Sequence, residues 1–237
     1  MSYVVPFMKR KGGVGASTLA RTYAVEAARA GASVLIADLD EGQSTSKRWA
    51  DHRRENGLKP EIRAEISTPR RAYDLAGKAD VLVIDTPPGW TEKQTLFVAR
   101  WSTFCVLPSR ANRLDDLSET VRLIYALRRG GLEPWRYGVA LNALRSATAR
   151  QDDSDARAYL AEVGFKALPG YTRDLRAYEI AMLEGRAITE TGQKALNEEA
   201  HALMNGIAGA VLEAGRQLAR ELGPAKGRGR EGPDHER

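Results

Sequence analysis

The chain has 237 residues, one cysteine and a formal net charge of +5. That length is sufficient for one α/β domain with a buried core, and a single cysteine excludes a disulfide framework and a Cys/His metal cluster. No apolar run approaches the ~20 residues needed to cross a membrane. Met1 is followed at once by an apolar run, which leaves no room for a signal peptide. We therefore expect a cytoplasmic protein that does not bind membranes.

Apolar runs typical of strands alternate along the chain with segments of helical spacing. Strands are predicted at 3–8, 33–38, 81–85, 104–107 and 137–141, with a shorter one possible at 61–66. Helices are predicted at 17–30, 45–55, 69–77, 92–101, 114–129, 153–163, 173–184 and 194–222. The alternation favours an α/β fold, with a mainly parallel twisted sheet and helices on both faces. We expect a single domain over 1–222 and a disordered basic and polar tail over 223–237.

The first predicted strand leads directly into Lys9-Arg10-Lys11-Gly12-Gly13-Val14-Gly15-Ala16-Ser17-Thr18. A strand, a glycine-rich turn and a helix start place backbone N–H groups and a helix N-terminus around an anion. Such a phosphate-binding loop normally ends Gly-Lys-Ser/Thr, and its lysine contacts the β- and γ-phosphates. Here Ala16 stands at the lysine position, Lys11 is the upstream lysine that remains, and Ser17 supplies the metal-binding hydroxyl. A simple strand–helix turn is the alternative.

The second strand ends in Asp38-Leu39-Asp40, and alternation puts both carboxylates on the same side of the chain. Carboxylates at the carboxyl end of a parallel strand lie where α/β proteins bind ligands. Two solvated loop acids are the alternative. Asp85 likewise follows the apolar run at 81–84, and we expect it to hold Mg²⁺ through water while Ser17 coordinates the ion directly. A strand-end aspartate without a ligand is the alternative.

These segments together resemble the motifs of the ParA/MinD family of P-loop ATPases, and the small ParA-type partition proteins most of all. The resemblance covers about residues 3–215, with Lys11-Gly12-Gly13 matching the deviant Walker A motif and Asp85-Thr86-Pro87-Pro88 the Walker B strand end. One departure is Glu41-Gly42-Gln43, where Pro-Gln-Gly is more usual in the family.

The resemblance implies ATP or ADP and Mg²⁺ as cofactors. It implies nucleotide contacts from Lys11, Gly12, Gly13, Val14, Gly15, Ala16, Ser17, Thr18 and Asn142. It implies metal binding by Ser17, Asp38 and Asp85, with Asp38 supporting the metal shell. The catalytic residues it implies are Asp40, which positions the attacking water, and Lys11, which reaches the nucleotide of a partner subunit. Asn142 is placed near the adenine by the resemblance, whereas a strand-end turn residue is the alternative.

The function implied is DNA partition or intracellular cargo positioning. The protein would form an ATP-dependent homodimer on the nucleoid, bind DNA without sequence preference and respond to a ParB-like or other adaptor protein. Candidate basic residues for DNA are Arg145, Arg150, Arg173, Arg176, Arg186 and Lys194, with Arg228 and Arg230 in the tail. Solvated helix-face charges are the alternative for these, as they are for Arg53-Arg54 and Arg70-Arg71.

Ala16 bears directly on catalysis. Loss of a charge-assisted hydrogen bond to phosphate costs about 1.5–3 kcal/mol, so we expect weak or absent hydrolysis. Ala16 is either an engineered replacement of lysine or a natural feature of the chain. The alternative function is a degenerate, non-catalytic P-loop scaffold that binds DNA or a protein partner.

Overall fold

A computed structural model describes residues 2–111 and 114–222. The strands are β1 Tyr3–Phe7, β2 Val34–Asp38, β3 Arg63–Ile66, β4 Val81–Asp85, β5 Cys105–Ser109 and β6 Tyr137–Leu141. The helices are α1 Ala16–Arg29, α2 Thr45–Glu55, α3 Pro69–Leu75, α4 Glu92–Trp101, α5 Leu114–Arg129, α6 Ala149–Glu162, α7 Arg176–Leu183 and α8 Lys194–Leu222. Short 3₁₀ turns occupy Pro134–Arg136 and Ile188–Glu190.

The six strands form one parallel sheet in the order β3-β2-β4-β1-β5-β6. The chain leaves β1 towards one side of the sheet and later crosses to the other, so the topological switch point lies beside β1. In register, Asp85 of β4 is level with Asp38 of β2 and with Phe7 of β1. The glycine-rich loop and both carboxylates therefore emerge at the same edge of the sheet.

The side chains of each strand alternate between two hydrophobic cores, one on each face of the sheet. In β1, Val5 and Phe7 pack with α1 and α8, whereas Val4 packs on the opposite face with α3 to α6. A sheet buried on both faces explains why its strands read as continuous apolar runs. The α/β fold class predicted from the sequence is confirmed.

The predicted elements are present, with shifted ends. Helix α6 begins at Ala149 rather than 153, because the polar residues of its first turn are held locally: Asp152 accepts from Thr148 and pairs with Arg145. Helix α7 begins at Arg176 rather than 173, because the N–H of Arg173 donates to Glu199 instead. The predicted tail at 223–237 lies outside the described residues.

Helix α8 and Cys105 both contribute to the core. The apolar stripe of α8, including Leu203, Ile207 and Val211, packs against the sheet. Cys105 is buried, and burial raises the pKa of its thiol to about 12. Within the part of the chain that the structure describes, no helix is both long and apolar enough to span a membrane.

For Arg53 of α2, a solvated helix-face charge was one alternative, and the structure shows a buried side chain instead. Its side chain is 0% exposed, and it donates to the backbone carbonyls of Lys59, Pro60 and Gly185. Two further bonds, of 2.6 and 2.9 Å, go to the carboxylate of Glu190. These bonds use all five N–H donors of the guanidinium. Arg53 thus fastens α2 to the segments that flank it, whereas Arg54 is exposed and pairs with Asp51.

We predict that Arg53→Met lowers the free energy of unfolding by about 3–5 kcal/mol, because it breaks a largely buried ion pair and leaves Glu190 with only Arg29 and the N–H of Ala187 as partners. Arg54→Met, the matched control, should cost about 0–1 kcal/mol. Urea denaturation of both variants measures the difference, and equal small losses would contradict the structural role of Arg53.

The same pair predicts a pH dependence. Burial opposes ionisation of Glu190, but the bonds from Arg53 and Ala187 outweigh burial and hold its pKa below the usual range. A lowered folded-state pKa contributes stability at neutral pH that is lost as the pH falls through that value. The stability gap between native chain and Arg53→Met should therefore shrink on acidification.

Candidate active site

The loop between β1 and α1 is shaped by two glycines in the left-handed region. Gly13 has φ 78° and Gly15 has φ 80°, and Gly15 is the residue that caps α1. No side chain caps this helix, and the first N–H groups of a helix have no partner within it. The loop therefore presents unpaired donors and the positive end of a helix dipole to an anion, as the sequence predicts.

Asn142, at the end of β6, fixes this loop from below. Its amide nitrogen donates to the carbonyl of Val14 at 2.9 Å, and its oxygen accepts from the hydroxyl of Thr172 at 2.5 Å. A Cβ on Gly15 would lie 2.0 Å from the Asn142 amide nitrogen, so only glycine fits there. In this structure the side chain of Asn142 is used to hold the loop.

Asp85 is the centre of the polar network beneath the loop. It is 1% exposed, and one carboxylate oxygen accepts from the hydroxyl of Ser17 at 2.9 Å. The other accepts from the hydroxyl of Ser46 at 2.6 Å, and Ser46 in turn accepts from Arg21 at 2.9 Å. Because Ser17 belongs to α1 and Ser46 to α2, a single carboxylate joins the starts of both helices to the end of β4.

Asp38 is buried and holds the start of α2. One of its oxygens accepts from the backbone N–H groups of Ser46 and Lys47, and the other accepts from Asp40. Burial raises the pKa of Asp38, and the nearby charge of Asp85 adds to the effect, while these N–H bonds oppose it. Asp38 thus places Ser46 against Asp85.

Asp40 lies in the turn after β2 and is only partly buried. Its carboxylate accepts from the backbone N–H of Gln43 at 3.1 Å, and its own carbonyl accepts from Ser44. The turn holds Asp40 at the same edge of the sheet as Asp85. A partly exposed carboxylate at this edge is available to a water molecule, as the predicted role requires.

The structure separates the cations around the loop into an inward and an outward group. Lys9 turns inward: its side chain is 8% exposed, and its amine lies 3.4 Å from Ser17 Oγ and 3.7 Å from Asp85 Oδ1. Lys11 turns outward, is 43% exposed and pairs with Asp116 of α5 at 3.6 Å. Arg10 also turns outward, to Glu119 of α5. The sequence motif marks Lys11 but not Lys9.

The donor set at Asp85 suits Mg²⁺. The ion prefers oxygen ligands and usually takes one or two protein carboxylates together with substrate phosphates. The Ser17 hydroxyl and the Asp85 carboxylate are hydrogen-bonded to each other and provide such a pair. Over residues 2–111 and 114–222, no three His, Cys, Asp or Glu side chains meet as a metal site of their own. These residues therefore fit a magnesium ion that arrives with a phosphate ligand.

Most of the candidate DNA-binding residues are already paired with acids. The pairs are Arg145–Asp152, Arg173–Glu199, Arg176–Glu179, Arg186–Glu184 and Lys194–Glu198. Arg150 is exposed and makes no ion pair with any described residue. It lines a cavity of about 630 Å³ at the start of α6, together with Ser146, Tyr171, Arg173 and Glu199. The net positive charge around the candidate DNA-binding residues is therefore smaller than the sequence suggests.

Several site residues were not identifiable from motifs. Ser46 and Thr172 act through contacts between segments far apart in sequence, and no local pattern marks them. Lys9 did carry a signal, because it is a lysine that follows β1 by two residues, just before a loop that lacks its usual lysine. Tyr178 is buried and donates to the carbonyl of Leu196.

Comparisons with known proteins agree with this geometry. The cell division ATPase MinD of Pyrococcus furiosus has a TM-score of 0.66 at 18% identity, covering 92% of this chain and 100% of that one. A plasmid partition protein of Borrelia burgdorferi B31, solved bound to AMPPNP, has a TM-score of 0.66 at 14% identity and the same coverage. At these identities the likeness shows the fold.

Sequence similarity carries the assignment further. A family model described as ATPase MipZ matches residues 3–81. The Gloeobacter kilaueensis protein named maintenance of carboxysome distribution protein A is 30% identical to this chain over 200 residues, which cover 83% of this chain and 89% of that protein. This chain belongs to the ParA/MinD family of P-loop ATPases.

Proposed function

We propose that this protein is an ATP-dependent positioning factor, which binds ATP with Mg²⁺, dimerises and uses DNA as a track for a cargo. The observation that carries the proposal is the convergence of Ser17, Asp85 and Asp38 beneath a loop that presents unpaired N–H groups. Similarity to a protein named for carboxysome distribution supports the positioning role. We assign the activity to one domain over residues 1–222.

In this proposal the triphosphate lies against residues 11–18, and Ser17 and Asp85 hold the metal. Bound Mg²⁺ would neutralise charge on the β- and γ-phosphates. Asp38 supports the metal shell indirectly, because it positions Ser46 against Asp85. Asp40 orients the attacking water. Asn142 keeps the loop in its binding shape, and its contact with the adenine remains a prediction.

In an Ala16→Lys background, we predict that Asp40→Ala retains ATP binding and lowers hydrolysis by about 10²-fold or more, because the attacking water loses its acceptor. Glu41→Ala in the same background, which removes the neighbouring exposed carboxylate, is the matched control and should hydrolyse ATP like the Ala16→Lys protein. Single-turnover release of labelled phosphate measures the slow rate, and calorimetry measures binding. An unchanged rate in Asp40→Ala would remove Asp40 from the reaction.

Lys11 serves the partner subunit in this proposal. Its amine faces α5 and solvent rather than its own loop, which leaves it available across an interface. Two nucleotide sites that face each other would form an isologous, two-fold contact. Each subunit would then complete the site of the other.

We predict that ATP with Mg²⁺ shifts the native chain from monomer to dimer, and that Lys11→Ala abolishes the shift. Lys93→Ala, a change of the same kind at an exposed position of α4, should dimerise like the native chain. Sedimentation velocity with and without nucleotide distinguishes the states. A dimer that forms without nucleotide in all three proteins would contradict the shared site.

DNA binding rests on the net charge of +5 and on family membership. Lysine and arginine contacts to phosphate carry no sequence information, and they make affinity fall steeply with salt. Since most candidate arginines are paired with acids, one subunit offers few free charges, and the dimer doubles them. The protein would thus be a cytoplasmic, nucleoid-associated carrier that meets a ParB-like or other adaptor.

We predict that Arg145→Glu with Arg150→Glu weakens DNA binding without changing nucleotide affinity. Arg70→Glu with Arg71→Glu is the matched control, because it too reverses one paired and one unpaired arginine, on α3. Binding of two unrelated duplexes, titrated with salt in the presence and absence of ATP, provides the measurement. A marked preference for one duplex, or no binding at low salt, would contradict the nonspecific track.

A second function is favoured by one observation. Ala16 is 1% exposed and packs in the same core as Phe7 and Leu19, so its position provides no charge to a phosphate. A P-loop protein that binds its ligand without turnover would act as a scaffold for DNA or a protein partner. A protein that dimerises when nucleotide is added, but releases no more phosphate than a blank without protein, would be such a scaffold.

A further inference from the structure

The nucleotide site proposed above lacks the charge that such a site needs. ATP is polyanionic, and Asp38, Asp40 and Asp85 add three carboxylates at the same edge of the sheet. Residue 16 is alanine, and Lys11 is paired with α5. Backbone N–H groups provide only partial positive charge. Some other cation must offset these negative charges if the loop is to bind a triphosphate.

Lys9 is the cation placed to do so. It follows β1 by two residues, and its stem is buried, so the amine is directed into the site rather than into solvent. Arg21 also lies near the carboxylates, but its guanidinium is bonded to Ser46, which itself donates to Asp85. Among the described cations of the loop and of α1, Lys9 alone has its amine within hydrogen-bond distance of the Ser17 hydroxyl.

The contacts of Lys9 in this structure are long. The amine lies 3.4 Å from Ser17 Oγ and 3.7 Å from Asp85 Oδ1, at the limits of a hydrogen bond and an ion pair. Asp85 already accepts from two hydroxyls, so it stays partnered if the amine moves away. A lysine on a flexible stem with weak contacts can turn to a phosphate at little cost.

We propose that Lys9 replaces residue 16 as the lysine that contacts the phosphates of the bound nucleotide. The lysine charge then comes from the end of β1 instead of the start of α1, while Ser17 and Asp85 provide the hydroxyl and carboxylate of the metal site. This inference rests on the proposed nucleotide-binding function. It assigns to the native chain a complete phosphate site, with Ala16 as a compatible residue rather than a defect.

The test is calorimetric titration of the full chain with AMPPNP, in Mg²⁺ and separately in EDTA. Lys9→Met should weaken binding about 10- to 100-fold, the loss expected for a charged hydrogen bond to phosphate. Lys9→Gln, which keeps a polar group beside Ser17 but removes the charge, should weaken it similarly. Lys78→Met, at an exposed site after α3, is the matched control and should bind like the native chain.

A rescue variant tests the replacement itself. Ala16→Lys should restore binding in the Lys9→Met background and should raise it by a much smaller factor in the native background. Thermal unfolding of each unliganded variant checks that the fold is kept. If the Ala16→Lys variants do not fold, the affinity of Lys9→Gln for AMPPNP decides the test.

Two results would overturn the proposal, and a third would refute nucleotide binding itself. Native affinity in Lys9→Met and Lys9→Gln would overturn it. Tighter binding of these variants in Mg²⁺ but not in EDTA would also overturn it, because Lys9 would then compete with the metal. Failure of the native chain itself to bind AMPPNP would refute the nucleotide-binding function, which is a separate failure.

Discussion

The carboxylate of Asp85 is the constraint on which the site depends. It lies at the carboxyl end of a strand that is paired on both sides, so its position is set by the centre of the sheet. From there it accepts hydroxyl donors from the first turns of two helices, α1 and α2. A buried carboxylate is costly unless it is fully partnered. The need to satisfy Asp85 therefore fixes where both helices start, and hence where the glycine-rich loop lies.

Asp38 extends the same arrangement by one strand. Its bonds to backbone N–H groups at the start of α2 neutralise orphan donors of that helix. The two carboxylates are level in the sheet and repel one another, which contributes to the raised pKa of Asp38 after the larger effect of burial. A site with this much negative charge requires cations to bind an anionic ligand. Lys9, a metal ion and the helix dipole of α1 are available to offset this negative charge.

Patterns local in sequence predicted most of the fold. Strands buried on both faces give continuous apolar runs, and the aspartates that end β2 and β4 mark the carboxyl edge of the sheet, so the position of Asp38 and Asp85 at this edge was predictable without a structure. The left-handed glycines of the loop were also predictable, because the turn between strand and helix requires them.

Contacts between distant segments were not predictable in this way. Arg53 has the pattern of an exposed charge, and its burial depends on Glu190 and on carbonyls from two other segments. The bond from Asn142 to Val14 joins residues 128 positions apart. The direction of Lys9 depends on the donor and acceptor geometry at Asp85, which a motif does not encode. Each of these is a long-range polar contact, set by the packing of the finished fold.

We propose the sheet edge around Asp85 as a nucleotide site adapted to alanine at position 16. A crystal structure of the native chain with Mg²⁺ and AMPPNP tests this most directly. We predict a triphosphate against Gly12–Ser17, a metal on Ser17 Oγ and the Lys9 amine on a phosphate oxygen. Nucleotide bound elsewhere, such as in the cavity of about 760 Å³ beside Val34 and Arg63, would contradict it.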